Sequence, residues 1–159
     1  MNPQIEELNR LSIREFPGYF ASLSPPDSDI LRGFFKGDFV GPAWLRSLAG
    51  PLLLITGLGG WWGKEFDTEG GAINLVWRKG KFSYRFPMRL SRQDSYIDQR
   101  SGLALRYAAS NPYPWPWIVD ELRSIRSDLV LGMTVATLGP LKRLPLPFIL
   151  QPREGLDGL

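Results

Sequence analysis

Two alternating runs joined by one tight turn constrain this chain more than any other stretch of it. Ile73, Leu75 and Trp77 alternate with Asn74, Val76 and Arg78; after the turn Lys79-Gly80-Lys81, Phe82, Tyr84, Phe86, Met88 and Leu90 alternate with Ser83, Arg85, Pro87, Arg89 and Ser91. Successive side chains of a strand point to opposite faces, so this regular period of two predicts a hairpin with one apolar face. Pro87 has no N–H to give a neighbouring strand and predicts an edge or a bulge there. A turn near 98–102 leads to Leu103, Leu105 and Tyr107 alternating with Ala104, Arg106 and Ala108, a third adjoining antiparallel strand. Such a sheet needs a cover for its apolar face.

The remaining segments supply one. Residues 3–16 place Ile5, Leu8, Leu11 and Ile13 among charged residues at nearly helical spacing, a leader helix that Pro17-Gly18 ends. Residues 22–28 read as a loop, and 31–40 as a first strand whose glycines permit a bend. Residues 42–49 suit a short helix broken by Gly50-Pro51, and 52–56 either a short buried strand or a continuation of that lid. The alternate prolines of 109–117 remove donors and hold φ, which makes this stretch an extended aromatic arch. Residues 118–126, with Asp120 and Glu121 early and Arg123 and Arg126 late, carry the charge order of a short helix or turn. Two closing strands follow at 129–137 and 144–151, joined by a loop bearing Gly139-Pro140 and Lys142-Arg143. The fold class expected is mainly β: a single domain over 1–159, with a helical leader and loop (1–28), a small antiparallel β-barrel (30–151), one or two further short helices, and a tail (152–159).

Histidine and cysteine are both absent from the 159 residues. That excludes a His general base, a Cys nucleophile, a zinc finger and a haem held by His or Cys. Neither a metal nor a cofactor is expected, and acid-base chemistry would fall to Asp, Glu, Lys or Tyr. The amino end has no basic and apolar signal pattern, and the apolar stretches 51–60 and 129–150 are too short or too interrupted to cross a bilayer as one helix. A cytoplasmic location without a membrane span is the corresponding expectation.

Three segments carry a resemblance. Gly-Phe-Phe-Lys-Gly-Asp-Phe at 33–39, Trp-Trp-Gly-Lys-Glu-Phe at 61–66, and Asp-Glu-Leu-Arg at 120–123 followed by Leu-Val-Leu-Gly-Met at 129–133 resemble the GxWxG-type bacterial domains. Phe35 stands where that name has a tryptophan between two glycines. The resemblance covers roughly 30–151 and implies a lipocalin-like, or calycin-like, barrel for a hydrophobic ligand.

Candidate site residues fall into three groups. Trp61, Trp62 and Lys64 suit a cavity wall with a cation at its mouth for a ligand carboxylate or phosphate; the plainer alternative is a core tryptophan with Lys64 snorkelling past it. If that stretch is extended, only one of the two indoles can face inward. Asp120 and Glu121 lie beside Tyr113, Trp115 and Trp117, and a buried carboxylate there, or Tyr113, is a candidate acid or base. Arg123 could grip a ligand carboxylate, or an Asp–Arg pair could simply lock the arch to the barrel. Trp77, Tyr84, Phe86 and Tyr107, from the apolar faces of the strands, complete the expected ligand wall. The basic row Arg78, Lys79, Lys81, Arg85, Arg89 and Arg92 lies opposite those aromatics, so nucleic acid is not expected as a partner; whether Arg85 and Arg89 turn inward as anion ligands stays open.

The function expected is binding of a small, largely hydrophobic molecule, with or without an acidic group, in the barrel cavity. The alternative is a cofactor-independent cyclase, isomerase or lyase acting in the same cavity. A homodimer remains open.

Overall fold

A computed structural model describes residues 2–139 and 144–156. Eight strands form one closed sheet: β1 (Gly33–Phe39), β2 (Trp61–Phe66), β3 (Gly71–Arg78), β4 (Lys81–Asp94), β5 (Ser101–Tyr107), β6 (Ile118–Arg126), β7 (Leu129–Ala136) and β8 (Leu146–Arg153). Each pairs antiparallel with the next, and β8 returns to β1. Closure leaves no unpaired edge in a sheet this apolar. Among the described residues three α-helices accompany it: α1 (Pro3–Arg10), α2 (Phe16–Ala21) and α3 (Ala43–Thr56).

Several expectations need correction. The leader is two helices, and Pro17 sits in the first turn of α2, where its missing N–H costs nothing. Of the two readings of 52–56, the continuation of the lid holds and the buried strand does not: Gly50-Pro51 does not break α3, which runs through Pro51 and ends at Gly57 in the left-handed region (φ 94°). Residues 118–126 are strand β6, not helix, with Val119 opposite Val135 and Leu122 opposite Gly132. The charge order that suggested a helix is a by-product of alternation: Ile118, Asp120 and Leu122 share the inner face, while Val119, Glu121 and Arg123 share the outer. Pro152 and Arg153, expected in the tail, pair with β1. Of the β7–β8 loop, residues 140–143 lie outside the described part.

The apolar residues form two cores. Inside the barrel, Phe35, Phe66, Val76, Leu105, Leu122, Val130, Phe148 and Leu150 pack together. Outside it, Leu8 of α1 and Phe16 and Phe20 of α2 cover Leu129, Leu131 and Met133 of β7 and Ile149 of β8. Strand β7 is therefore buried on both faces, which its unbroken run Leu-Val-Leu-Gly-Met suits. Each large side chain buried this way contributes roughly 1.5–3 kcal/mol.

Two shifts of register decide which residues face the interior. In β2, Trp61 pairs with Val76 but Gly63 with Leu75. This bulge lets Trp61 and Lys64 both point inward and turns Trp62 outward, edge-on to Phe82 at 5.5 Å. In β4, Met88 pairs with Ala72 but Arg85 with Asn74, with Phe86 (φ 56°) and Pro87 at the kink. An extra residue flips the face of everything beyond it. Met88 and Leu90 consequently face the lumen, while Phe82 and Tyr84 lie outside. The single apolar face expected of 82–90 is in fact two.

Candidate functional site

The up-and-down connectivity puts α3, the β3–β4 turn, the aromatic arch, the end of β7 and the start of β8 at one end of the barrel. Below them lies a cavity of about 190 Å³. Phe39, Leu58, Trp61, Trp115 and Phe148 form its walls, and Leu52, Leu53 and Thr56 of α3 close over it. The Trp115 indole donates to the carbonyl of Thr56 (2.7 Å), tying the arch to the end of the lid. Two inward-facing glycines make room for the wall rings. A Cβ on Gly37 would overlap the Trp61 indole, and one on Gly132 the Phe148 ring.

The floor is polar and sealed. Lys64 Nζ lies 2.9 Å from Asp120 Oδ2 and donates to Asn74 Oδ1 at 2.9 Å. Asn74 Oδ1 also accepts from the Trp61 indole (3.0 Å), and Asn74 Nδ2 donates to the Tyr107 hydroxyl (3.1 Å). Thr134 donates to Asp120 Oδ1 at 2.8 Å, and the Tyr107 hydroxyl stands 3.4 Å from Asp120 Oδ2. Around the ammonium, the rings of Trp61, Tyr107 and Phe148 form a cage with centroids 5.6–5.7 Å from Nζ. Burial holds the Tyr107 phenol well above its usual range, and the neighbouring Asp120 charge pushes it further.

This arrangement balances its own charge. Lys64 and Asp120 neutralise each other, so the floor offers hydrogen-bonding atoms without a net charge. A carboxylate entering it would have to compete with Asp120 for Lys64 in a water-poor place, which is costly. A neutral hydroxyl or carbonyl meets no such cost.

Of the residues singled out from sequence, Trp61, Lys64, Tyr107, Trp115 and Asp120 come together at the cavity. Phe86 packs behind the wall, 5.4 Å from Trp115. Trp62, Trp77 and Tyr84 lie on the outer side of the β2–β4 wall, where Trp77 packs on Phe82 at 4.7 Å. Tyr113 and Trp117 pack on each other at the exposed surface of the arch. Glu121 and Arg123 face away from the lumen. The Glu121 carboxylate accepts from the Tyr96 N–H (3.0 Å), and burial raises its pKa. Arg123 is gripped from the outside: both terminal nitrogens reach Asp98 at 3.1 Å, one also donates to the Leu23 carbonyl, and Phe20 stacks 4.4 Å from the guanidinium. An Asp–Arg pair does exist, but it uses Asp98 and locks the leader, not the arch. Burial opposes the Asp98 charge, yet the hydrogen bonds from Arg123 and Arg100 bring its pKa below the ordinary value. Arg85 and Arg89, like the rest of the basic row, are exposed.

Asn74, Thr134, Phe39 and Phe148 are not among the site residues that the sequence singles out. Asn74 and Thr134 had a signal: each is a lone uncharged polar residue in an apolar strand, at the parity that turns out to face inward.

Fold and cavity together define a closed, eight-stranded, up-and-down barrel with a lidded apolar chamber above a polar floor. It is similar to a crystal structure of a protein from Thermomonospora curvata, with a TM-score of 0.70 and 21% sequence identity, covering 94% of this chain and 93% of that one. At this identity the likeness is one of fold. No protein-family model and no curated protein matches the chain.

Proposed function

We propose that the barrel binds a small, largely apolar molecule whose neutral hydroxyl or carbonyl group rests on the Lys64–Asp120 floor. One observation carries the reading: an apolar chamber that ends on a buried, charge-balanced ion pair. The chamber compares with the ~150 Å³ engineered cavity that holds benzene, so the ligand is of the order of one ring or a short branched chain. The lipocalin-like, GxWxG-type resemblance agrees with this use of the barrel. An enzymatic role has less support, because Asp120 is committed to Lys64 and Thr134 while Glu121 does not reach the chamber.

Quenching of the wall tryptophans tests the proposal. Cyclic alcohols and ketones should quench saturably, their carboxylic acid counterparts more weakly, and long-chain fatty acids least. Leu53→Trp, which fills the chamber from the lid, should abolish the response. Uniform, non-saturating quenching across the panel would reject the proposal.

A further inference from the structure

Helix α3 is apolar on two sides, and only one of them is used. Leu45, Ala49 and Leu53 face the barrel, and Leu52 sits at the chamber's rim, whereas Trp44, Leu48 and Ile55 form a second stripe, at helical spacing, that faces solvent; Ile55 is 79% exposed and Trp44 56%. Arg46 is the helix's one charged residue. A helix apolar all round is ordinarily buried. At the same end of the barrel Tyr113, Trp117, Leu138 and Leu144 are also exposed, which extends the apolar surface beyond what scattered leucines account for.

Charge says what covers it. The sequence has no Asp or Glu in 39–64, 72–93, 106–119 or 129–153, which between them include every segment that builds this end. Arg46 on the helix and Arg78, Lys79 and Lys81 at the β3–β4 turn stand at this end, all exposed, and none forms an ion pair among the described residues. Asp38, an exposed acid on the outer wall of β1, is 3.3 Å from Lys36. Asp67, Glu69, Asp94 and Asp128 stand at the opposite end, in or beside its turns. A second copy docking by the same face would set these cations against each other, so self-association does not fit.

We infer that this end of the barrel docks on an anionic lipid surface, with α3 lying in the headgroup plane and the surrounding cations against lipid phosphates. Fourteen residues span about 21 Å, short of the ~30 Å hydrocarbon core, and no helix among the described residues is long and apolar enough to cross. Exposed Trp and Tyr at the rim and leucines beneath suit an interfacial position. Docking would turn the lid of the chamber toward the bilayer, from which an apolar ligand could enter directly.

The test is sedimentation with vesicles of phosphatidylcholine alone or mixed with phosphatidylserine, without added ligand. The protein should pellet with the mixed vesicles at low salt, bind neutral ones at least about tenfold more weakly, and detach as salt rises. Lys79→Ala and Lys81→Ala should each weaken binding about fivefold. Leu48→Asp with Ile55→Asp, both at exposed positions, should abolish it while leaving the circular dichroism unchanged. If that pair fails to fold, the lysine variants and the salt dependence decide. No pelleting with mixed vesicles, or binding indifferent to these changes, overturns the inference; so does a dimer in analytical ultracentrifugation that the Leu48/Ile55 pair dissolves. Because no ligand is present, failure here leaves the chamber proposal intact, and the quenching assay, run without vesicles, can fail independently.

Discussion

Lys64 on β2 and Asp120 on β6 meet across the lumen, 2.9 Å apart, with side chains only 2% and 3% exposed. Their strands stand four apart in a ring of eight, so the ion pair is a strut between opposite walls. Removing one partner strands the other in a place without water. Lys64→Met should therefore cost about 3–5 kcal/mol in urea unfolding, and adding Asp120→Leu should restore part of that loss. Additive losses would mean the two charges are not coupled.

Tyr107 shares that floor, and its raised pKa has a sign. The unfolded phenol ionises near 10 while the folded one holds its proton longer. The stability this contributes is whole below about pH 10 and is lost as pH climbs through the folded value. Tyr107→Phe should flatten that alkaline decline, cost about 1 kcal/mol at neutral pH, and leave the tyrosinate absorbance of the folded protein unchanged. A smaller native tyrosinate signal in the variant would show that Tyr107 ionises in place.

Glu121 is raised as well, mainly by burial, and one carboxylate oxygen finds no partner. Its contribution is present below the unfolded value of about 4.3 and is lost as pH rises through the folded one, so at neutral pH the charge opposes folding. Glu121→Gln, which keeps the acceptor for Tyr96, should melt higher than the natural protein at neutral pH. The gain should stay near or below about 1 kcal/mol because the Tyr96 N–H and Arg123 offset part of the burial cost, and should vanish near pH 4. A lower melting point at neutral pH would show that attraction to Arg123 outweighs burial.

Gly37 leaves the space that the Trp61 indole occupies. Gly37→Ala should destabilise the barrel by about 1–3 kcal/mol and shift the tryptophan emission as the ring is displaced. Unchanged emission with full stability would place the indole elsewhere.

How far the sequence could be read depended on the range of the interaction. The barrel strands around 73–90, 103–107 and 146–150 were legible because alternation is local and repeats over several residues. Strand β6 was not, since its acid-to-base order fits a helix terminus as well as it fits two faces of a sheet. Facing was harder still. Unbroken alternation groups Trp77 and Tyr84 with Met88 and Leu90 on one face; the extra residue near Phe86–Pro87 turns only Met88 and Leu90 inward and leaves Tyr84, and Trp77 opposite Phe82, outside.

From the sequence alone came the mainly β class, the aromatic arch, and the exclusion of His and Cys chemistry. Composition and short-range periodicity settle these without any knowledge of register. Only the tertiary structure brought Lys64 to Asp120 and sent Arg123 outward to Asp98. Those partners are distant in sequence, and ring closure together with two bulges determines which side of each strand meets the lumen.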